Sequence, residues 1–208
     1  MTQRPLVAIL DYGIGNLHSA QKGLARAGAD ARLTADRGLI VDAVGVVLPG
    51  VGAFAPCMAA LATTGLDEVA VASVESGRPF LGICIGMQVL YAGSEEAPGC
   101  PGLGVFDQEV RAIPGGVKRP QMQWNLVERR VEHPMFRGLP EAAWMYFVHS
   151  FAAPPGTHVV GTCDYGGPVV AAVARDNVWA VQFHPEKSSG NGMRLLANFV
   201  RSVGGAEH

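Results

Sequence analysis

Cys84 stands at the centre of Gly82-Ile83-Cys84-Ile85-Gly86. Small residues two before and two after it let a strand turn sharply into a helix and leave the thiol projecting into a site, the setting of a nucleophile. A helix N-terminus adds unpaired backbone donors that stabilise a thiolate. Such a thiol needs a base. His184 closes an apolar run and Glu186 follows across Pro185, where an extended backbone puts both side chains on one side. A carboxylate there can orient the imidazole and stabilise its charge, completing a nucleophile, base and orienter set. The third piece is Pro49-Gly50-Val51-Gly52, whose glycines free a backbone amide at Val51 to join that of Ile85 in an oxyanion hole. Residue types alone leave plainer readings open: a buried structural cysteine, a solvated His-Glu pair and an ordinary glycine-rich loop. Cys57, Cys100 and Cys163 lack the strand-to-helix setting.

These pieces need a scaffold that brings positions 100 residues apart together. Residues 6–10, 29–33, 44–48 and 79–83 read as buried strands, and Leu17, Ala20, Leu24 and Ala27 recur at helical spacing before Gly28. A helix, or two short ones, is predicted within residues 56–76, with Leu66, Val69, Ala70 and Val74 as its stripe, and another over residues 87–91. Strands alternating with amphipathic helices imply a parallel sheet covered on both faces, with ligands at the carboxyl ends of its strands. After residue 91 comes a loop-rich stretch over 93–104. Short strand-like runs follow near 105–110, 124–127, 145–148, 159–163 and 169–173, then a strand over 178–183. A closing helix over 192–200 carries Met193, Leu196, Ala197 and Val200 on one side. The fold class is therefore α/β: an open, mostly parallel central sheet flanked by helices, with antiparallel additions in the second half. No linker or composition shift divides the chain, so one domain over residues 1–208 is expected.

The composition excludes several classes. Charged residues make up only 16% and hydrophobic ones 49%, which rules out whole-chain disorder. A net charge of −2 with no basic run beyond Arg129-Arg130 gives no footprint for nucleic acid. The 27 glycines and 14 prolines disfavour long helices. Residues 43–62 carry no charge and have the length of a membrane span, but three glycines and two prolines interrupt them, so no membrane is expected. Residues 1–10 contain one arginine and a short apolar run that meets Asp11, with neither a signal core nor a cleavage region. With four cysteines in no disulfide or zinc spacing, a cytoplasmic location is expected. His18, His133, His149 and His158 show no metal spacing, and Gly13-Ile14-Gly15 lacks the third glycine of a dinucleotide loop because His18 stands there. Neither metal nor cofactor is expected.

Asp11-Tyr12-Gly13-Ile14-Gly15-Asn16-Leu17, residues 48–54, 82–90 and 146–150, and Gln182-Phe183-His184-Pro185-Glu186-Lys187-Ser188 together resemble the class I, triad-type glutamine amidotransferases. The elbow and H-P-E carry the superfamily likeness. The D-Y-G-x-G-N opening and Y-F-V-H-S are similar to the branch that supplies glutaminase subunits to imidazole glycerol phosphate synthases. The resemblance implies Cys84 as nucleophile, His184 as its base and later acid, and Glu186 as the orienter. It implies an oxyanion hole at Val51 and Ile85, and L-glutamine held near Gly52, Gln88, Glu96, His149 and Ser150. It also implies a (β/α)8-barrel cyclase as a 1:1 partner that receives ammonia, with Asn16, Met122, Trp124 and Lys187 at the contact. From the residues alone, Met122 and Trp124 fit a core strand equally well. The family usually has P-H-M-G-W-N where this chain has Pro120-Gln121-Met122-Gln123-Trp124-Asn125, so a bend that needs glycine is expected to be altered at Gln123. The competing readings are the glutaminase of vitamin B6 synthesis, another amidotransferase, a cysteine hydrolase, or a binding subunit that keeps only the fold.

Overall fold

The computed structural model describes residues 4–205; residues 1–3 of the N-terminal leader reading lie outside them. The chain runs β1 (Leu6–Leu10), α1 (Leu17–Arg26), β2 (Asp30–Thr34), α2 (Arg37–Asp42), β3 (Gly45–Gly50), α3 (Phe54–Thr64), α4 (Leu66–Glu75), β4 (Phe80–Cys84), α5 (Ile85–Gln88) and β5 (Tyr91–Ser94). Then come β6 (Phe106–Ala112), β7 (Gln121–Arg129), a 3-10 turn at Pro134–Phe136, β8 (Ala142–His149), β9 (Phe151–Ala152), β10 (Val159–Asp164), β11 (Pro168–Arg175), β12 (Val178–Val181), a 3-10 turn at Pro185–Lys187 and α6 (Ser189–Val203).

Nine strands form one sheet in the order β2-β1-β3-β4-β12-β11-β10-β7-β8. The first five are mutually parallel and β11, β10, β7 and β8 extend them antiparallel. β5, β6 and β9 make a small separate sheet. The parallel strands carry apolar residues on both faces, as in β3 and β4, where every residue is buried, because helices cover both sides. α1 and α6 pack so closely that a Cβ on Gly23 would stand 2.8 Å from Leu196 Cδ1. Among the described residues no single helix is long and apolar enough to cross a membrane, and the uncharged stretch 43–62 divides into β3, a turn and α3.

The structure corrects some sequence expectations and makes others specific. α2 was not anticipated: six residues give too little periodicity to read. It is held instead by Asp36, whose carboxylate accepts from Leu39 N at 2.8 Å, and by Arg78, which donates to the Ile40, Val41 and Ala43 carbonyls from 35 or more positions away. The segment 56–76 is two helices, broken by Gly65 at φ 66°, and α3 starts at Phe54 with Pro56 inside its first turn. The helix expected over 87–91 ends at Gln88, and Tyr91 opens β5, whose Gly93 and Ser94 fall in the stretch read as loop. β7 begins at Gln121 and keeps register with β8 through Gln123↔Phe147, so no glycine bend interrupts it. α6 buries Leu195, Leu196, Phe199, Val200 and Val203, while Met193 and Ala197 stand at the margin of that face.

Candidate active site

Cys84 ends β4 with φ 56° and ψ −113°, a conformation that costs an L residue roughly 1–3 kcal/mol and persists only where the surroundings impose it. They impose it by contact. A Cβ on Gly86 would collide with the Leu48 carbonyl oxygen, and one on Gly82 would stand 2.8 Å from the Gly86 carbonyl. Both glycines therefore serve close approach; neither has a positive φ. The helix that follows is one turn long and Cys84 does not cap it with its side chain, so the helix field expected at the thiol is small.

β12 lies beside β4 in parallel, with Val181 opposite Ile83. That register carries the chain beyond β12 to the level of Cys84. His184 and Glu186 meet there, His184 Nδ1 lying 2.8 Å from Glu186 Oε1. Their side chains are only 2% and 4% exposed. The link between them is a 3-10 turn rather than the extended step expected: Pro185 sits in its first position, and Lys187 N donates to the His184 carbonyl at 3.0 Å. Ser188 fastens the turn, donating to that carbonyl at 2.6 Å and accepting from Tyr146 N at 2.9 Å. Burial favours the neutral imidazole, but the Cys84 thiol and Glu186 carboxylate outweigh it and raise the His184 pKa to about 9. The Nδ1 proton is committed to Glu186, which leaves Nε2, buried and without a hydrogen-bond partner among the described residues, to serve the thiol.

One cavity of about 480 Å³ takes in Cys84, His184, Val51, Gly52 and Ile85, together with Gln88, Glu96, His149 and Ser150. Asn16 and Lys187 reach its rim; Glu186 lies behind His184 and outside the lining. Met122 and Trp124 also lie outside it, 63% and 44% exposed on β7, so the core-strand alternative for them does not hold. Glu96 has a further task, since one oxygen accepts from Phe54 N at 2.9 Å at the start of α3. A larger groove of about 800 Å³, between α3, α4 and the segment 100–103, contains Cys100 but no histidine. Among the described residues no three His, Cys, Asp or Glu side chains gather as a metal site.

Two further groups of interactions were not foreseen in the sequence. Tyr12 Oη donates to the Pro49 carbonyl at 2.7 Å, and the Cys57 thiol lies 3.5 Å from the Val51 carbonyl. Because peptide N–H and C=O point in opposite directions, this turns the Gly52 amide away from Cys57. His149 Nδ1 donates to the Phe151 carbonyl at 2.8 Å, and burial lowers the ring's pKa to about 4. The neutral ring can only accept at Nε2, where the Gln121 amide lies 2.9 Å away. The other end of that amide faces the Cys163 thiol, which burial keeps protonated with a pKa of about 11. Gln121 is fully buried behind His149 rather than presented at the surface. The signal available in the sequence was a polar residue inside a strand, which must be hydrogen-bonded if buried.

A thiol at a strained elbow, an imidazole polarised by a buried carboxylate and backbone amides around one cavity can perform nucleophilic acyl transfer. The glutamine amidotransferase class-I family matches residues 8–203, and the chain belongs to that family. It is 46% identical over 200 residues to the imidazole glycerol phosphate synthase subunit HisH of Symbiobacterium thermophilum, covering 95% of this chain and 94% of that one. It is 47% identical over 208 residues to the protein of the same name from Methylococcus capsulatus, covering 94% and 95%. A crystal structure described as glutamine amidotransferase superposes with a TM-score of 0.75 at 21% identity, covering 95% of this chain and 98% of that one, a likeness of fold.

Proposed function

We propose that this chain is the glutaminase subunit of an imidazole glycerol phosphate synthase, acting as one amidotransferase domain in the cytoplasm and paired 1:1 with a (β/α)8-barrel cyclase. The observation that carries the chemistry is the meeting of Cys84 with the 2.8 Å His184–Glu186 pair at one cavity. The pathway rests on the full-length relatives. In this reading His184 takes the Cys84 proton and the sulfur attacks the side-chain amide carbon of L-glutamine. The tetrahedral oxyanion is met by backbone amides at Val51 and Ile85. His184 returns the proton to the departing nitrogen, ammonia leaves, and a glutamyl thioester remains on Cys84. Water, deprotonated by His184, attacks that thioester; glutamate departs and the thiol is regenerated. Gln88, Glu96, His149, Ser150 and Gly52 surround the glutamine. Ammonia passes to the cyclase across the face carrying Met122, Trp124, Asn16 and Lys187, for incorporation into imidazole glycerol phosphate in histidine biosynthesis.

The test is glutamate and ammonia production from glutamine, with and without the cyclase and its nucleotide substrate. Strong stimulation by both, abolished by Cys84→Ala with assembly intact, is expected. Turnover that survives Cys84→Ala, or that ignores the cyclase, rejects the reading. The Asp11-Tyr12-Gly13 opening disfavours the vitamin B6 alternative.

A further inference from the structure

Gln182 is fully buried, one residue beyond β12, and the parallel register that sets Val181 opposite Ile83 brings it beside Cys84 although 98 positions separate them. Its amide has two neighbours: Gln88 Nε2 lies 3.0 Å from Gln182 Oε1, and Gln182 Nε2 lies 3.8 Å from Cys84 Sγ. The orientation of this pair of amides is not arbitrary. Gln88 also faces the backbone carbonyl of Phe151 at 2.9 Å, and a carbonyl only accepts, so the Gln88 NH2 must point there. The same NH2 then makes the Gln182 oxygen an acceptor, which leaves only the Gln182 NH2 to face sulfur. A buried amide is costly unless both ends are satisfied, and the relay satisfies both ends of Gln182.

We infer that Gln182 is a hydrogen-bond donor to the sulfur of Cys84, fixed in that role by the Phe151 carbonyl acting through Gln88. Nucleophile and leaving group are the same atom in the proposed reaction. The donor favours the sulfur anion before attack on the amide, and again when the thioester opens and electrons return to sulfur. Gln182 and His184, two residues apart, approach the thiol from one strand end, one holding the anion and the other moving the proton. The inference rests on the reading of Cys84 as a nucleophile. Of the other titratable groups around Cys84, burial raises the pKa of both Tyr12 and Cys57 and keeps His149 neutral above about 4, while Glu96 and Lys187 line the same cavity. His184, with Glu186 behind it, is the group placed to exchange a proton with the thiol.

The experiment follows iodoacetamide alkylation of the Cys84 peptide by mass spectrometry against pH, in the full-length wild type, Gln182→Met and Gln182→Glu. Melting curves verify that each is folded. Methionine removes the donor, so the pH of half-maximal alkylation should rise by about one unit. Glutamate keeps the shape and the acceptor for Gln88 but sets a negative charge against sulfur, so the rise should be larger. In the cyclase complex both variants should lose kcat more than KM for glutamine. A folded variant with a wild-type alkylation profile overturns the inference, and if the methionine variant fails to fold the isosteric glutamate variant decides. A shifted profile alongside a wild-type complex that makes no glutamate leaves the Gln182 contact standing and removes the glutaminase reading instead.

Discussion

His184 and His149 lie on one cavity with opposite electrostatic surroundings, and the pH dependence of stability reports both. His184 binds its proton more tightly folded than unfolded, so the stability it contributes is complete below its usual 6.5 and is lost as pH rises toward about 9. His149 is the reverse: its neutral form is favoured, so its contribution is complete above 6.5 and is lost as pH falls toward about 4. Thermal melting between pH 4 and 10 should therefore show a maximum near 6.5, to which the two rings contribute opposite limbs. Glu186→Gln should flatten the alkaline limb and spare the acid one, and His149→Gln should do the opposite. Parallel melting profiles for wild type and both variants would show that neither ring is held as described. The His-Pro-Glu pairing was legible as residue types, but its 3-10 geometry was not, because the turn is closed by Ser188 and Tyr146 from elsewhere in the fold.

At the scale of elements, the elbow depends on β3 as much as on its own glycines. The missing Cβ of Gly86 is the space occupied by the Leu48 carbonyl, so Gly86→Ala must push β4 and β3 apart or unwind the turn. We expect a loss of about 3 kcal/mol or more in urea unfolding, together with loss of glutamate production. A stable, active Gly86→Ala protein would mean that the elbow is not pressed onto β3. The sequence exposed the strongly patterned elements: β1, β3, β4 and α1 are runs whose periodicity is local. It hid elements whose stability is borrowed. α2 relies on Arg78, β5 pairs with β6 across the turns of residues 95–105, and Gln121 begins β7 through partners on β8 and β10. The elbow, H-P-E and glycine loop were readable because each is a local motif. The Gln182 relay was not, since its meaning arises only when β12 is laid beside β4.

At the scale of the whole molecule, the sheet ends at β8, and the face shared by β7 and β8 near that edge is unusually apolar. Met122, Trp124 and Trp144 are 63%, 44% and 52% exposed, and Trp124 meets Tyr146 edge-on with centroids 6.1 Å apart. Met122 is paired with Val148, which lines the cavity, so this face runs up to the mouth of the site. Aromatic and methionine side chains of this kind anchor protein contacts. Trp124→Ala should leave the melting temperature within about 2 °C of wild type, because a half-exposed residue contributes little to the core. The same change should weaken cyclase binding at least tenfold, measured by calorimetric titration. A large melting loss with unchanged cyclase affinity would return Trp124 to the core.

If Cys84 is the nucleophile, it carries the glutamyl group during turnover. The most direct measurement is acid quenching of the cyclase complex during turnover of glutamine, followed by mass spectrometry of the peptide containing Cys84. A glutamyl adduct on Cys84 should appear before steady-state glutamate, disappear when glutamine is exhausted and never form in Cys84→Ala. Glutamate accumulating while Cys84 remains unmodified, with the adduct on another residue or on none, would contradict that role.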